Sequence, residues 1–303
     1  NQVAKNIPWL LGGSADLAPS TNTLLKFDGA GDFAAQNPAG RNFHFGIREH
    51  AMAAACNGMV LNGLKPFGAT FFVFADYCRP SIRLAAMMKL PVLYVFTHDS
   101  IGVGEDGPTH QPIEQLASLR AIPNLIVVRP ADANEVAEAY RTVIPLKDAP
   151  ACLVLTRQNL PTIDREKYAS AKGVAQGGYI LADSDGTPDV ILIGTGSEVS
   201  LCLEAREKLA AEGISARVVS LPSWELFEAQ SQEYRESVLP PEVTTRVGVE
   251  MAVGMGWEKY LGPQGRFLGM NNFGISGPYQ KLLEHFGFTA DNIAAEAKAA
   301  MGR

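Results

Sequence analysis

Short runs rich in β-branched and aromatic residues recur along the chain, and longer amphipathic segments separate them. The apolar runs are PVLYVFT (91–97), NLIVVRP (124–130), ACLVLT (151–156), DVILIGTG (189–196), ARVVSLP (216–222) and RVGVE (246–250). Helix-like stretches lie between them, most clearly at 132–144 and 198–212. Continuous apolar strands alternating with helices predict mainly parallel, helix-covered sheets, which is an α/β fold.

The segment TIDREKYASAKGVAQGG, at 162–178, interrupts this alternation. It is polar and glycine-rich and has no clear apolar period, which is typical of a linker. We therefore predict two α/β domains, at 1–163 and 178–303, joined by a linker at 164–177. Neither half contains an internal repeat.

Composition and charge indicate which classes of binding partner the protein is expected to have. The chain has 303 residues, 47% of them hydrophobic, and is long enough to bury sizeable cores. Its 26 basic and 32 acidic residues give a net charge of -6 and are interspersed, which predicts neither nucleic acid nor an anionic membrane as a partner. No apolar run reaches the roughly 18 residues of a membrane helix, and no charged-then-apolar leader opens the sequence.

The four cysteines carry no pairing or metal signature. Cys56, Cys78, Cys152 and Cys202 are far apart in the sequence and form no C-x-x-C pair. This spacing indicates neither a zinc cluster nor a disulfide framework. We therefore expect reduced thiols and a cytoplasmic protein.

The segment HDSIGVGEDGPTHQP, residues 98–112, directly follows the strand predicted at 91–97. Ligands of open α/β sheets bind at the carboxyl ends of strands, so this segment lies where a site is expected. A connecting loop that is merely rich in turn-forming residues would also explain it.

Three kinds of chemistry could involve this segment. A metal site would need a third close His or Cys beside His98 and His110, and a phosphate cradle would need a closing Lys with Ser or Thr. The segment contains neither. Two imidazoles that titrate near neutrality, with Asp106 between them, fit proton transfer and recognition of a polar substrate better.

A small-residue helix is predicted within FHFGIREHAMAAACNGMVLNGLKPF, residues 43–67, with Arg48, Glu49 and His50 at its start. An acid in the first turn complements the helix dipole, which is an ordinary structural role. In an otherwise apolar helix, an acid is costly to bury unless it meets a dedicated partner. Both roles stay open for Glu49 on these grounds.

A second helix is predicted over ATFFVFADYCRPSIRLAAMMK, residues 69–89. Phe71, Phe74 and Tyr77 follow one another there at three-residue intervals. This spacing is more typical of a buried helix face than of a ligand site. The functional alternative is a wall on which a flat heteroaromatic ring stacks.

The motif GTGSEVS, residues 194–200, follows a strand and opens a helix. Its glycines would bring backbone amides to an anion, but the third glycine of the dinucleotide motif is missing. A tight turn followed by Ser197 as a helix cap is the simpler interpretation, and we predict no nicotinamide cofactor.

Taken together, these motifs resemble one family. Five segments resemble, in order and spacing, the pyrimidine-binding domain of transketolases: GGSADLAPS (12–20), FHFGIREHAM (43–52), ATFFVFADYCRPSIR (69–83), HDSIGVGEDGPTHQPIEQLASLR (98–120) and TRQNL (156–160). Four more resemble the C-terminal domain of that family: GTGSEV (194–199), ARVVSLPS (216–223), ESVLP (236–240) and FGISGP (273–278). Deoxyxylulose phosphate synthases share the REH and THQ neighbourhoods but normally lack the full HDSIGxGEDGPTHQP motif.

The resemblance implies thiamine diphosphate as the cofactor. Glu49 matches the acid that hydrogen-bonds the aminopyrimidine ring and favours its imino tautomer, whose nitrogen removes the thiazolium proton. Phe71, Phe74 and Tyr77 match the aromatic pocket that holds the same ring, which reverses the preference for plain core. Asp16 matches an acid at the subunit interface near the cofactor, although a helix or turn cap would explain it equally well.

The resemblance also implies an activity, the reversible transfer of a two-carbon ketol unit from a ketose phosphate to an aldose phosphate. His110 matches a residue near the reacting oxygens, while His98 and Asp106 match residues that read donor hydroxyls. A histidine with a pKa near neutrality suits proton transfer in both directions. Ser20 and Arg157 match groups that bind the sugar phosphate, and a guanidinium suits phosphate through its bidentate fork.

One domain of transketolases has no counterpart in the 303 residues. Transketolases bind the cofactor's diphosphate through an N-terminal domain with a Gly-Asp-Gly motif and a Mg or Ca ion, and a further phosphate-binding arginine is expected just before Asn1. We therefore place the metal on no residue of this chain. We expect a fragment of a longer enzyme or one subunit of a split enzyme, inactive alone, that works as a homodimer or with a diphosphate-binding domain or subunit.

Two other functions stay open at this point. A thiamine-dependent relative such as dihydroxyacetone synthase would use the same chemistry with a different acceptor. A non-catalytic module would keep the fold without the chemistry. Glu49, His98 and His110 argue against such a module, because it has no physical need for an acid and imidazoles in an apolar crevice.

Overall fold

Two helix-covered sheets organise residues 1–302, the part of the chain that the computed structural model describes. The strands of the first sheet are β1 (Leu10–Ser14), β2 (Asn42–His44), β3 (Lys65–Phe71), β4 (Leu93–Thr97), β5 (Ile126–Val128) and β6 (Ala151–Val154). Their order is β2-β1-β3-β4-β6-β5, and each neighbouring pair is parallel.

The second sheet is mixed. Its strands are β7 (Tyr179–Ala182), β8 (Val190–Gly194), β9 (Ala216–Ser220), β10 (Arg246–Val249) and β11 (Arg266–Leu268). Their order is β11-β10-β8-β9-β7; β7 pairs antiparallel with β9, and the other pairs are parallel. The predicted α/β class with two mainly parallel sheets is therefore confirmed.

Helices supply the crossover connections that parallel strands require. The α-helices are α1 (Gln2–Asn6), α2 (Ala18–Thr21), α3 (Glu49–Leu61), α4 (Ala75–Met87), α5 (Gln115–Arg120), α6 (Ala133–Val143), α7 (Glu198–Ala211), α8 (Trp224–Glu228), α9 (Gln232–Val238), α10 (Glu258–Leu261), α11 (Tyr279–Phe286) and α12 (Ala290–Ala300). Short 3-10 helices span Phe72–Phe74, Ile101–Val103 and Ala171–Gln176. Within residues 1–302, no helix is long and apolar enough to cross a membrane.

Each of the predicted apolar runs contains a strand, but the pattern misses β1, β2, β3, β7 and β11. In β1 the reason is its two glycines. A Cβ added at Gly12 would lie 2.0 Å from the carbonyl oxygen of Phe67 in β3, and one at Gly13 would lie 1.7 Å from that of Phe43 in β2. Glycine is thus required where β1 passes between its neighbours, although glycine lowers the strand propensity on which sequence reasoning depends.

The helix predicted over 69–89 is wrong at its start. Residues 69–71 end β3, a 3-10 turn follows, and α4 begins only at Ala75. Aromatic and β-branched residues favour strands, and pairing with β1 and β4 on both sides fixes this one. Phe71, Phe74 and Tyr77 consequently lie on three successive elements rather than on one helical stripe.

The polar segment predicted as a linker packs against the first half of the chain. Arg165 Nη2 lies 2.9 Å from Asp132 Oδ1, and Val174 in the following 3-10 helix is fully buried. The segment is therefore not a free tether. The division into domains at 1–163 and 178–303 stays a prediction.

The carboxyl ends of five neighbouring strands lead to the predicted site residues. Glu49 follows β2, Asp16 and Ser20 follow β1, Phe74 and Tyr77 follow β3, residues 98–112 follow β4, and Arg157 follows β6. Because parallel strands end at the same edge of a sheet, the topology brings separate sequence motifs to one rim.

A buried ion pair joins α5 to the segment that follows β10. Arg120 donates to both carboxylate oxygens of Glu250, at 2.8 and 2.7 Å, and Trp257 Nε1 and Thr195 Oγ1 donate to the same carboxylate at 3.0 and 2.7 Å. Burial alone would raise the pKa of Glu250, but the charges of Arg120 and Arg129 outweigh it and hold that pKa at about 2. This pair ties the two sheets together.

We predict that Glu250→Ala lowers the free energy of unfolding by about 3–5 kcal/mol, because it leaves the Arg120 charge buried without its partner. The folded-state pKa of Glu250 lies below its unfolded value, so its contribution is present above about pH 4.5 and is lost as the pH falls toward 2. Urea unfolding at pH 7 and pH 3 measures both effects. Glu212→Gln, at an exposed pair with Lys298, is the control and should cost under about 1 kcal/mol; equal losses in the two variants would contradict the prediction.

Candidate functional site

A cavity of about 450 Å³ opens beyond the carboxyl ends of β1 and β3. Its lining residues are Ala15, Asp16, Leu17, Ile47, Glu49, Phe74 and Tyr77. The structure thus brings together four of the five residues predicted to bind a cofactor, and Phe71 lies behind Phe74. An apolar wall with few polar groups is typical of a site for a flat organic ligand.

Glu49 is the acid of this cavity and the first residue of α3. Its exposure is 7%, and its carboxylate forms no hydrogen bond or ion pair with another of residues 1–302. The neighbouring Arg48 guanidinium donates instead to the Phe45 carbonyl oxygen, at 3.1 Å. The helix N-terminus favours the charge, but a buried acid without a hydrogen-bonded partner is costly. A ligand that donates a hydrogen bond to Glu49 would remove that cost.

Aromatic rings connect the cavity to both histidines of the 98–112 segment. The ring of Phe71 stacks on that of His98 with centroids 3.6 Å apart, and the edge of Phe74 meets His110 at 5.5 Å. Phe74 in turn lies 6.0 Å from Tyr77 at the cavity. The sequence therefore correctly identified these aromatic residues as neighbours, although it placed them on the wrong element.

His98 directly follows β4 and has a left-handed backbone, with φ at 63°. Its Nδ1 lies 2.9 Å from Thr97 Oγ1. Burial lowers the pKa of His98 to about 4, and the positive charge of Arg157 acts in the same direction. The expectation that this imidazole titrates near neutrality is therefore wrong: sequence spacing does not reveal burial.

The remaining predicted substrate-binding residues follow the carboxyl ends of strands at the same rim. Arg157 and Asp106 are exposed, and their charges act on His98 with opposite sign. His110 is half-buried, and its Nδ1 lies 2.9 Å from Thr109 Oγ1. Ser20 is exposed on α2. Within residues 1–302 the side chains of Asp106, Arg157 and Ser20 form no hydrogen bond, which leaves them available to a ligand.

Asp16 also has a left-handed backbone, with φ at 63°, and it lines the cavity. The alternative role as a helix or turn cap finds no support, since its carboxylate accepts no hydrogen bond within residues 1–302. The Ser14 hydroxyl makes the local turn bond instead, accepting from the Leu17 amide at 3.1 Å.

Sequence reasoning missed three buried residues, Asp99 and Gln111 within the 98–112 segment and Arg129 behind it. Arg129 Nε lies 2.9 Å from Asp99 Oδ2, and Gln111 Nε2 donates to the carbonyl oxygens of Gly104 and Ile275 at 2.9 and 3.0 Å. One signal was available for Arg129. It is a charged residue that ends the apolar run NLIVVRP, where burial demands a partner.

The GTGSEVS turn is part of the same contact and not an anion cradle. Ser197 occupies the cap position of α7, but its hydroxyl makes no capping bond and donates to the Glu198 carboxylate. A Cβ on Gly196 would lie 2.5 Å from the Arg129 guanidinium carbon. The tight turn was predicted correctly, and its capping bond was not.

Within residues 1–302, no group of three His, Cys, Asp or Glu side chains is placed to hold a metal ion. The four cysteines are buried and unpaired. Burial raises the pKa of Cys56 to about 12, so this thiol stays protonated at neutral pH.

The sequence matches two family models. Residues 1–162 match "Transketolase, pyrimidine binding domain", and residues 177–289 match "Transketolase-like TK C-terminal domain". A transketolase from Halalkalibacterium halodurans is 56% identical over 300 residues, which cover 99% of this chain and 45% of the relative. The chain thus spans less than half of that relative's length.

Solved structures show the same likeness. A transketolase from Pichia stipitis, in complex with sedoheptulose 7-phosphate, matches with a TM-score of 0.93 and 42% identity, over 99% of this chain and 44% of that one. A split-gene transketolase, described as an inactive β4 tetramer, matches with a TM-score of 0.79 and 27% identity, over 99% of this chain and 95% of that one. The first family model alone accounts for more than half of the sequence, and the chain belongs to the transketolase family.

Proposed function

We propose that this chain forms the pyrimidine-facing half of a thiamine diphosphate-dependent transketolase, which transfers a two-carbon ketol unit between sugar phosphates. The observation that carries the proposal is Glu49, a buried acid without a hydrogen-bonded partner in residues 1–302, at an aromatic cavity that continues to two histidines. Membership of the family and the Pichia stipitis complex with a sugar phosphate support it.

The cavity fits the aminopyrimidine ring of thiamine. Glu49 would accept a hydrogen bond from a ring N–H, and Phe74 and Tyr77 would contact the ring. When bound, thiamine diphosphate supplies the nucleophilic carbon and the electron sink needed to break a carbon–carbon bond beside a ketone. The task of the Glu49 carboxylate is to orient the ring and to stabilise the tautomer that carries the proton facing it.

The histidines and their neighbours would handle the sugar. His98 is uncharged at neutral pH, so it can exchange hydrogen bonds with a donor hydroxyl without desolvating a cation. His110, against Phe74, would move the hydroxyl proton that leaves when the bond breaks and returns when it forms. Asp106 would accept from a further hydroxyl, while Arg157 and Ser20 would bind the phosphate.

The proposed enzyme needs a second part. Tyr77 and Ile47, at the mouth of the cavity, are 65% and 78% exposed, as expected of apolar residues that another protein surface covers. That surface would bind the cofactor's diphosphate with a Mg or Ca ion, either in a homodimer of longer chains or in a complex of separate subunits. The split-gene relative matches over 95% of its length, which supports a complex of separate subunits. The chain alone would then be inactive, and its buried thiols suit the reducing cytoplasm.

The direct test is an assay of the chain assembled with a diphosphate-binding domain, cofactor and Mg. Xylulose 5-phosphate and ribose 5-phosphate should give sedoheptulose 7-phosphate, measured by mass spectrometry. Formaldehyde replaces ribose 5-phosphate in a parallel reaction, and turnover with formaldehyde alone would identify a dihydroxyacetone synthase-like enzyme instead. A well-assembled complex that converts neither acceptor would sink the proposal.

We predict that Glu49→Gln lowers kcat of the assembled enzyme by about 100-fold or more, because an amide holds the ring without stabilising the required tautomer. Stability should stay equal or rise, since the variant removes a buried charge without a hydrogen-bonded partner. Steady-state kinetics and thermal unfolding measure the two effects. Glu166→Gln, at an exposed site, is the matched control and should change neither. Unchanged kcat in the Glu49 variant would favour a non-catalytic module.

We predict that the His98 imidazole titrates near pH 4 in the folded chain. Its folded-state pKa lies below the unfolded value of about 6.5, so the unfolded state binds the proton more readily between these pH values. The free energy of unfolding should therefore fall as the pH drops from about 6.5 to 4, and His98→Asn should remove that slope. Imidazole NMR titration and urea unfolding check the prediction; a His98 resonance that titrates at pH 6 or above would contradict it.

A further inference from the structure

Residues 98–112, here named the histidine loop, are linked to the second half of the chain at both ends, through Arg129 at the first end and directly at the other. At the first end, Asp99 Oδ2 lies 2.9 and 2.8 Å from Nε and Nη2 of Arg129. Arg129 is fully buried and also donates to both carboxylate oxygens of Glu198 and, at 2.9 Å, to the Thr195 carbonyl and hydroxyl oxygens. Asp99 is therefore fixed to the start of α7 through one guanidinium.

At the other end, the segment FGISGP (273–278) holds the loop. Ser276 Oγ donates to the Glu105 carbonyl oxygen at 2.6 Å, next to Asp106, and Gln111 Nε2 spans Gly104 and Ile275. The Val253 amide donates to the Ile113 carbonyl oxygen at 3.1 Å, just beyond the loop. The FGISGP segment thus contacts the loop next to Asp106 and at Gln111, and a second segment contacts the residue that follows the loop.

Stability alone is a weak reason for this arrangement. Burying charges costs several kcal/mol per ion, and apolar packing often stabilises an interface as well as a buried ion pair does. A guanidinium fork instead fixes direction, because its donors form a rigid plane. Direction matters at His98, whose left-handed backbone is strained and persists only where the surroundings over-determine it.

We propose that Arg129, Glu198 and Ser276 are positioning residues, through which the C-terminal half of the chain holds the histidine loop against the substrate. The role in substrate binding rests on the proposed function. The positioning of His98 does not depend on the proposed function. An experiment can therefore reject either claim without rejecting the other. The proposal assigns the C-terminal half a task in donor recognition, beyond packing.

The first experiment uses Arg129→Lys in the 303-residue chain. Lys keeps the charge but loses the fork, so the loop should loosen, water should reach His98, and the His98 pKa should rise by at least one unit from about 4. Imidazole NMR titration measures this shift without cofactor or substrate. Arg217→Lys is the matched control, because Arg217 is a buried arginine that also makes a two-pronged pair, with Asp183, away from the loop. The control should leave the His98 pKa unchanged.

The second experiment uses the assembled enzyme. Arg129→Lys and Glu198→Gln should raise the donor KM about tenfold and leave thiamine diphosphate affinity within twofold, since the Glu49 cavity is formed by other residues. Ser276→Ala, an exposed change expected to fold normally, should raise the donor KM about threefold. It keeps the proposal testable if both buried variants fail to fold.

A clear set of results would overturn the proposal. If Arg129→Lys loses stability as Arg217→Lys does, but the His98 pKa and the donor KM stay at wild-type values, these residues serve only structure. Unchanged donor KM in Ser276→Ala would likewise remove the second contact from the proposal. If the wild-type complex shows no ketol transfer, the proposed function fails, while the His98 titration still decides whether Arg129 positions the loop.

Discussion

The structure depends on one guanidinium that has no exposed surface, that of Arg129. A buried cation must have its donors satisfied, and here the partners come from both halves of the chain: Asp99 from the first, Glu198 and Thr195 from the second. These bonds therefore require the two halves of the chain to be docked in one relative position. The same Thr195 hydroxyl donates to Glu250, which pairs with Arg120, so the two ion pairs form one continuous buried network.

The candidate site lies at the rim of the first sheet. It offers an acid, flat aromatic surfaces and imidazoles, and within residues 1–302 no group of three His, Cys, Asp or Glu side chains is placed to hold a metal ion. In the proposed enzyme, dividing the site between two parts has a physical reason: the ring would be recognised by stacking and one hydrogen bond, whereas the diphosphate would need cations, and assembly of the protein would bring the two together.

The sequence predicted the α/β class, the strands that form continuous apolar runs, and the cluster of Asp16, Glu49, Phe74 and Tyr77. The first two follow from periodicity, whereas the cluster was implied by the resemblance to transketolases, and the structure places its residues around one cavity. It could not predict β1, because Gly12 and Gly13 serve close strand packing that no propensity reports. It could not predict the low pKa of His98 or the partners of Arg129 either, because burial and contacts between residues 30 to 69 positions apart are properties of the folded chain.

Asp16 and His98 share a left-handed backbone, after β1 and β4 respectively, the two strands that flank β3 in the first sheet. Among residues other than glycine, Asn, Asp and His tolerate that conformation best. A chemically mild exchange such as Asp16→Glu would therefore disturb the main chain as well as the side chain. At both positions the backbone therefore favours Asn, Asp, His or Gly, and the first three of these also bind polar ligands. Backbone geometry thus limits the substitutions that this sequence tolerates, independently of any selection on catalysis.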